Sequence, residues 1–151
     1  MLVTHPTRPT PFFSPAILGY TTLRLAIGMS MLIHGVARIP KYSAFVQATT
    51  AQFVHSPLPQ LSVAAFARIT PPVELLIGLL VFFGFQTPLG LTAGGLWMVL
   101  LIFGSTLIEN FNIVAIQLLY ALIFCYLLQH TDQNRLSLDG LIQIKRQPTR
   151  T

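Results

Sequence analysis

The sequence predicts an all-α membrane protein, a four-transmembrane-helix antiparallel bundle. Three observations carry that prediction. The chain is 53% hydrophobic and only 9% charged, whereas a soluble domain carries roughly 25% charged residues to face water all round. Its mean hydropathy is +0.68. Its apolar residues fall into four segments of about 20, the length that crosses a hydrocarbon layer as a helix. At 151 residues the chain forms one domain.

The first span is predicted over 15–39, opened by Pro15 where a missing N–H costs least. The second covers 61–84 and the third 88–108. The uncharged run from Leu75 to Ile108 is too long for one helix, and Gly84-Phe85-Gln86-Thr87-Pro88 divides it into two antiparallel neighbours. The fourth covers 111–129. Residues 1–14 form a Pro/Thr-rich tail without the pattern of a removable signal peptide. In the long connector, Tyr42-Ser43-Ala44-Phe45-Val46-Gln47 and the residues after it read as a short helix in the interface, stopped by Pro57 and Pro59. Residues 130–151 read as a polar, solvated and partly disordered C-terminal tail.

Charge sets orientation and removes several functions. The nine basic residues are scattered, with no basic helix interleaved with polar residues, so no nucleic-acid partner is expected. Arg8, Arg135, Lys145, Arg146 and Arg150 fall on the side of the termini; Lys41, with Arg38 and Arg68 at the boundary, falls on the other. Five against three places both termini in the cytoplasm, the topology expected in a bacterial inner (plasma) membrane. Cys125 is the lone cysteine, which excludes an intramolecular disulfide, a CxxC redox pair and a thiolate metal cluster; no metal is expected. Haem held by two histidines is disfavoured, because His34 is the one histidine inside a span.

Ionisable side chains in spans are expensive and face the bundle interior with a partner. Arg24, Gly28, Met31, Gly35 and Arg38 recur at helical spacing and share one face of the first span. Glu74 shares a face of the second with Ala67, Thr70 and Gly78, while Arg68 points away. With the span ends taken as level, Arg24 lies about 14 Å and Glu74 about 15 Å from the same membrane face. An Arg24–Glu74 ion pair is therefore expected, with Glu74 the candidate proton carrier. If the second helix instead began at Pro71-Pro72, that match in depth would fail. His34, Arg38 and Arg68 gather near the opposite face, where they would contact a quinone carbonyl or an anion, or simply snorkel to water. Gly90-x-x-x-Gly94 predicts close helix packing, within the bundle or in a homo-oligomer.

The order and spacing of these residues resemble the DoxX/DoxD family of small four-helix membrane proteins. The matching elements are Arg24-x-x-x-Gly28, His34-Gly35 with Arg38, Glu74-x-x-x-Gly78 with Gly84, and the tail Asn134-Arg135-Leu136-Ser137-Leu138-Asp139. Arg38 stands where many relatives have lysine, and Gly78 is single where a glycine pair is usual. The resemblance implies a membrane subunit of a redox complex, like that of thiosulfate:quinone oxidoreductase, facing quinone and lipid and fed by a partner subunit or soluble dehydrogenase. Sulfur chemistry would belong to that partner, because this chain has no cysteine outside its spans. A non-catalytic scaffold or assembly factor stays open, with the same charges only fixing helix packing. A small-solute transporter fits less well, since four spans without an internal repeat leave little room for alternating access.

Overall fold

A computed structural model of the chain describes residues 13–146. Arg8, Arg150, His5 and most of the N-terminal tail lie outside the described residues. The elements run α1 (Pro15–Arg38), α2 (Tyr42–Gln52), α3 (Gln60–Phe83), α4 (Thr87–Leu107), α5 (Phe111–Gln129), a 3₁₀ turn (Thr131–Gln133) and α6 (Leu138–Arg146). Four of these, α1, α3, α4 and α5, are long and apolar enough to cross a membrane. The protein is an all-α integral membrane protein, and the span boundaries agree with the sequence to within one residue.

Local chemistry sets those boundaries. Ser14 Oγ accepts from the Ile17 N–H ahead of Pro15 and caps α1. Gly84, at φ +64°, ends α3 in the left-handed conformation that a side chain resists. Asn110 Oδ1 accepts from the Ile113 N–H to start α5.

Pro71 and Pro72 do not end α3, which runs through them. A proline lacks the N–H that would bond the carbonyl four residues earlier, so Pro72 frees the carbonyl of Arg68. Tyr42 Oη donates to that oxygen at 2.8 Å. The phenol of α2 thus supplies the missing donor, and the same bond pins α2 onto α3.

The two faces read from the sequence are the buried ones. Arg24, Gly28, Met31 and Gly35 are buried on α1, as are Ala67, Thr70, Glu74 and Gly78 on α3, while Arg68 is exposed. Glycines let these two backbones touch: a Cβ on Gly28 would lie 2.6 Å from the Phe82 nitrogen, and one on Gly35 would lie 2.7 Å from the Leu75 nitrogen. The Gly90/Gly94 pair of α4 is used inside the bundle, Gly90 against Leu80 and Val81 and Gly94 against the Phe124 ring. A core of Tyr20, Ile27, Met31, Ile77, Val81, Leu91, Trp97, Met98, Phe124 and Leu127 runs between the spans.

Residues 130–146 fold back on the bundle, contrary to the solvated tail expected from their polarity, and 147–151 lie outside the described residues. Their polar side chains are spent on the bundle and on the segment itself. Asn134 Nδ2 donates to Thr87 Oγ1 at 2.8 Å, and Ser137 Oγ accepts from the Gly140 N–H to start α6. Both carboxylate oxygens of Asp139 accept from the start of α4, at 2.9 Å from the Gln86 nitrogen and 2.7 Å from that of Thr87. Gln86 is left-handed at φ 45° without being glycine, a conformation that persists only where its surroundings hold it. The Asp139 clasp supplies that hold.

Candidate functional site

The two arginines of the α1 stripe have separate partners, and the expected Arg24–Glu74 pair does not form. Arg24 Nη1 donates to the carbonyls of Val81 at 2.7 Å and Phe82 at 2.6 Å, and Nη2 donates to that of Leu136 at 2.9 Å. It is 2% exposed. A buried arginine requires acceptors, and two of the three are carbonyls in the last turn of α3, the negative end of its dipole. Glu74 pairs instead with Arg38, its Oε2 accepting from Arg38 Nη1.

Two physical reasons explain the correction. The span ends are not level: Leu75 lies against Gly35, and Gly84 against the Arg24 guanidinium. The helices are therefore offset by about three turns from the assumed register. Side chains also lean toward the N-terminus of their own helix. In an antiparallel pair this carries Arg38 inward along α1 and Glu74 outward along α3, so they converge. It carries Arg24 away from Glu74.

The ion pair borders a cavity of about 430 Å³ enclosed by α1, α2, α3, α4 and α5. Most of its wall is apolar, including Phe45, Phe53, Phe66 and Leu101, with polar side chains at a few points. Glu74 is almost wholly buried, its side chain 5% exposed, while that of Arg38 is 28% exposed and faces the cavity. The Arg38 guanidinium also lies over the Phe45 ring, 4.6 Å from its centroid, a favourable contact between a cation and a π face. Gln117 Nε2 donates to Ser105 Oγ at 3.0 Å, and both residues line the cavity. The Gln117 Oε1 is buried and has no hydrogen-bond partner among the described residues.

His34 and Arg68 do not join this site. His34 is exposed on the α1 surface beside α5, with its ring centroid 6.5 Å from that of Tyr120. Arg68 is exposed near α2, bordering a shallow groove with Val46 and Ala64. The site takes polar members that sequence reasoning did not single out: Thr49, Gln52 and Ser62 at the connector, and Ser105 and Gln117 across from them. A signal existed for Gln117, an uncharged amide inside a span that otherwise buries little. Thr49 and Gln52 share one face of α2 with Phe45 and Phe53, at helical spacing.

These features define a class: a small helical integral membrane protein in which a buried arginine–glutamate pair borders an apolar cavity. A family model described as DoxX matches residues 19–107, more than half of the chain, and the chain belongs to the DoxX family. The match covers α1 to α4 and so includes Arg24, Arg38 and Glu74; it leaves out α5 and the Asp139 clasp. No curated protein and no solved structure matches the chain.

Proposed function

We propose that this protein is the quinone-facing membrane subunit of a redox complex, taking its electrons from a partner subunit or soluble dehydrogenase. The observation that carries this reading is the Arg38–Glu74 pair set against an apolar cavity inside a lipid-embedded bundle. The cavity is within the size range of small-molecule sites and mixes apolar walls with a few placed polar groups. Leu100, Phe103 and Ile113 line it and are also exposed on the outer surface, so a molecule dissolved in the bilayer can enter sideways.

The residues present fit a quinone. Arg38 has N–H groups beyond the one given to Glu74, and a guanidinium donates without ever accepting. It would hold a ring carbonyl. Ser62 and the Gln117 amide supply further polar contacts, and the unpartnered Gln117 Oε1 is a vacancy for a hydroxyl donor. A bound quinone would supply two-electron, two-proton redox chemistry. Glu74, nearly enclosed and bonded to Arg38, would hold the proton that this chemistry exchanges. In this reading both termini are cytoplasmic, in a bacterial inner membrane, as the basic residues favour.

The test uses the protein purified from native membranes in mild detergent with its partners. Bound quinone is extracted and quantified, and quinone-linked activity is compared between the wild type and Glu74→Gln. Bound quinone, with activity lowered on the order of a hundredfold, is expected for loss of a proton-transfer group. No bound quinone, together with unchanged activity in Glu74→Gln, sinks the redox reading. The scaffold reading would then stand, supported by the glycine-mediated contact of α1 with α3 that the ion pair also holds.

A further inference from the structure

The site just proposed makes no use of α6, most of whose apolar side chains gather on one side, with Ile144, 57% exposed, set apart from them. Asp139 is turned onto the α4 N-terminus, and Gly140 is buried against the Arg135 carbonyl. Leu138, Leu141 and Ile142, spaced i, i+3 and i+4 on another side, are 42%, 56% and 38% exposed. Lys145 continues that face one turn further on, and it holds no carboxylate. Arg135, in the preceding turn, is exposed too. Neither Arg135 nor Lys145 forms an ion pair among the described residues.

Position decides what covers this face. The Asp139 clasp fixes the first turn of α6 at the α3–α4 turn, which is the edge of the membrane-spanning region. A nine-residue helix reaches about 13 Å, so it stays close to the water–lipid boundary. Three aliphatic side chains offer on the order of 200 Å², well short of the roughly 800 Å² per partner that a stable protein interface buries. The same three are enough to seat a helix already tethered at the surface.

We propose that α6 lies in the plane of the membrane interface as an amphipathic anchor for anionic phospholipid. Leu138, Leu141 and Ile142 enter the acyl boundary, while Arg135 and Lys145 sit on the headgroup phosphates. A lysine within an apolar face serves this arrangement, because its stem packs on lipid while its ammonium reaches the phosphates.

The experiment uses the full chain with Cys125→Ser, reconstituted in nanodiscs of phosphatidylcholine with or without phosphatidylglycerol. Single cysteines replace Leu141 on the outward face and Gln143, which borders a polar cleft against the bundle. Modification by a membrane-impermeant maleimide is expected to be roughly tenfold slower in Leu141→Cys than in Gln143→Cys. A fluorophore at the Leu141→Cys position is quenched by brominated lipid. Adding Lys145→Gln restores modification by about fivefold, the effect of one charge near an anionic surface, and only where phosphatidylglycerol is present. Equal modification of both cysteine variants in both bilayers overturns the proposal. So does protection that occurs in native membranes through a crosslink to another protein but vanishes in nanodiscs.

Discussion

Arg24 and Arg38 sit on the same face of the same helix, yet the structure employs them in opposite ways. Arg24 is sealed at one end of α1 against three backbone carbonyls from two segments. Arg38, at the other end, meets a carboxylate and an aromatic ring and keeps part of its guanidinium open to a cavity. One arginine closes the fold and the other lines a site. The difference follows from their acceptors. Backbone carbonyls carry no protons and cannot change charge state, so an arginine that caps them is fixed. A carboxylate can take up a proton, so an arginine paired with it belongs to a group that can change.

Substitutions that separate these roles sharpen the comparison. The largest effect is expected from Arg24→Ala, which takes the donor from the Phe82 and Leu136 carbonyls at about 2–4 kcal/mol in total. Accumulation in the membrane should fall severely, and adding Glu74→Ala should restore none of it. Restoration would re-establish an Arg24–Glu74 pair. Glu74→Ala alone leaves Arg38 without its carboxylate. Breaking a fully buried pair costs about 3–5 kcal/mol, but Arg38 is partly open to the cavity, so about 1–2 kcal/mol is expected from thermal melts in detergent. Here Arg38→Ala in the same chain should recover part of the loss, as a double-mutant cycle would read out.

Asp139→Ala removes the carboxylate from the start of α4 and is expected to cost about 1 kcal/mol, as for other helix N-caps. Proteolysis should then cut between α5 and α6 sooner than in the wild type; an unchanged cleavage rate would show the clasp to be dispensable. The smallest effect is expected from Tyr120→Phe, which removes the 2.6 Å bond between Tyr120 Oη and Ser30 Oγ at the α1–α5 contact. Interhelical hydrogen bonds in membranes average about 0.6 kcal/mol. A shift in melting temperature as large as that of Asp139→Ala would give this contact a larger part in holding α5.

The same logic marks what could be read from residues alone. Span boundaries were legible because proline, glycine and capping side chains act within one turn of where they stand. The inward faces were legible because charge and glycine in an otherwise apolar helix have only one favourable direction in lipid. Pairing across helices was not legible. It depends on the axial offset of α1 against α3, set by where their glycines let the backbones meet. The tail Asn134-Arg135-Leu136-Ser137-Leu138-Asp139 resembled a family ending but read as solvated, because a polar side chain that bonds a distant backbone looks like one that bonds water. The partner of the Arg68 carbonyl that Pro72 leaves free was not legible either, because it is a hydroxyl from Tyr42 in another helix.

Residue chemistry alone makes this chain a four-span membrane bundle and sets which face of α1 and α3 turns inward. Composition, length and periodicity are properties of each segment taken alone. Helix packing settled that Glu74 belongs to Arg38, that Arg24 caps α3, and that a cavity opens beside the Arg38–Glu74 pair. Those outcomes depend on helix register and on the lean of side chains in an antiparallel pair, which exist only once the helices have packed.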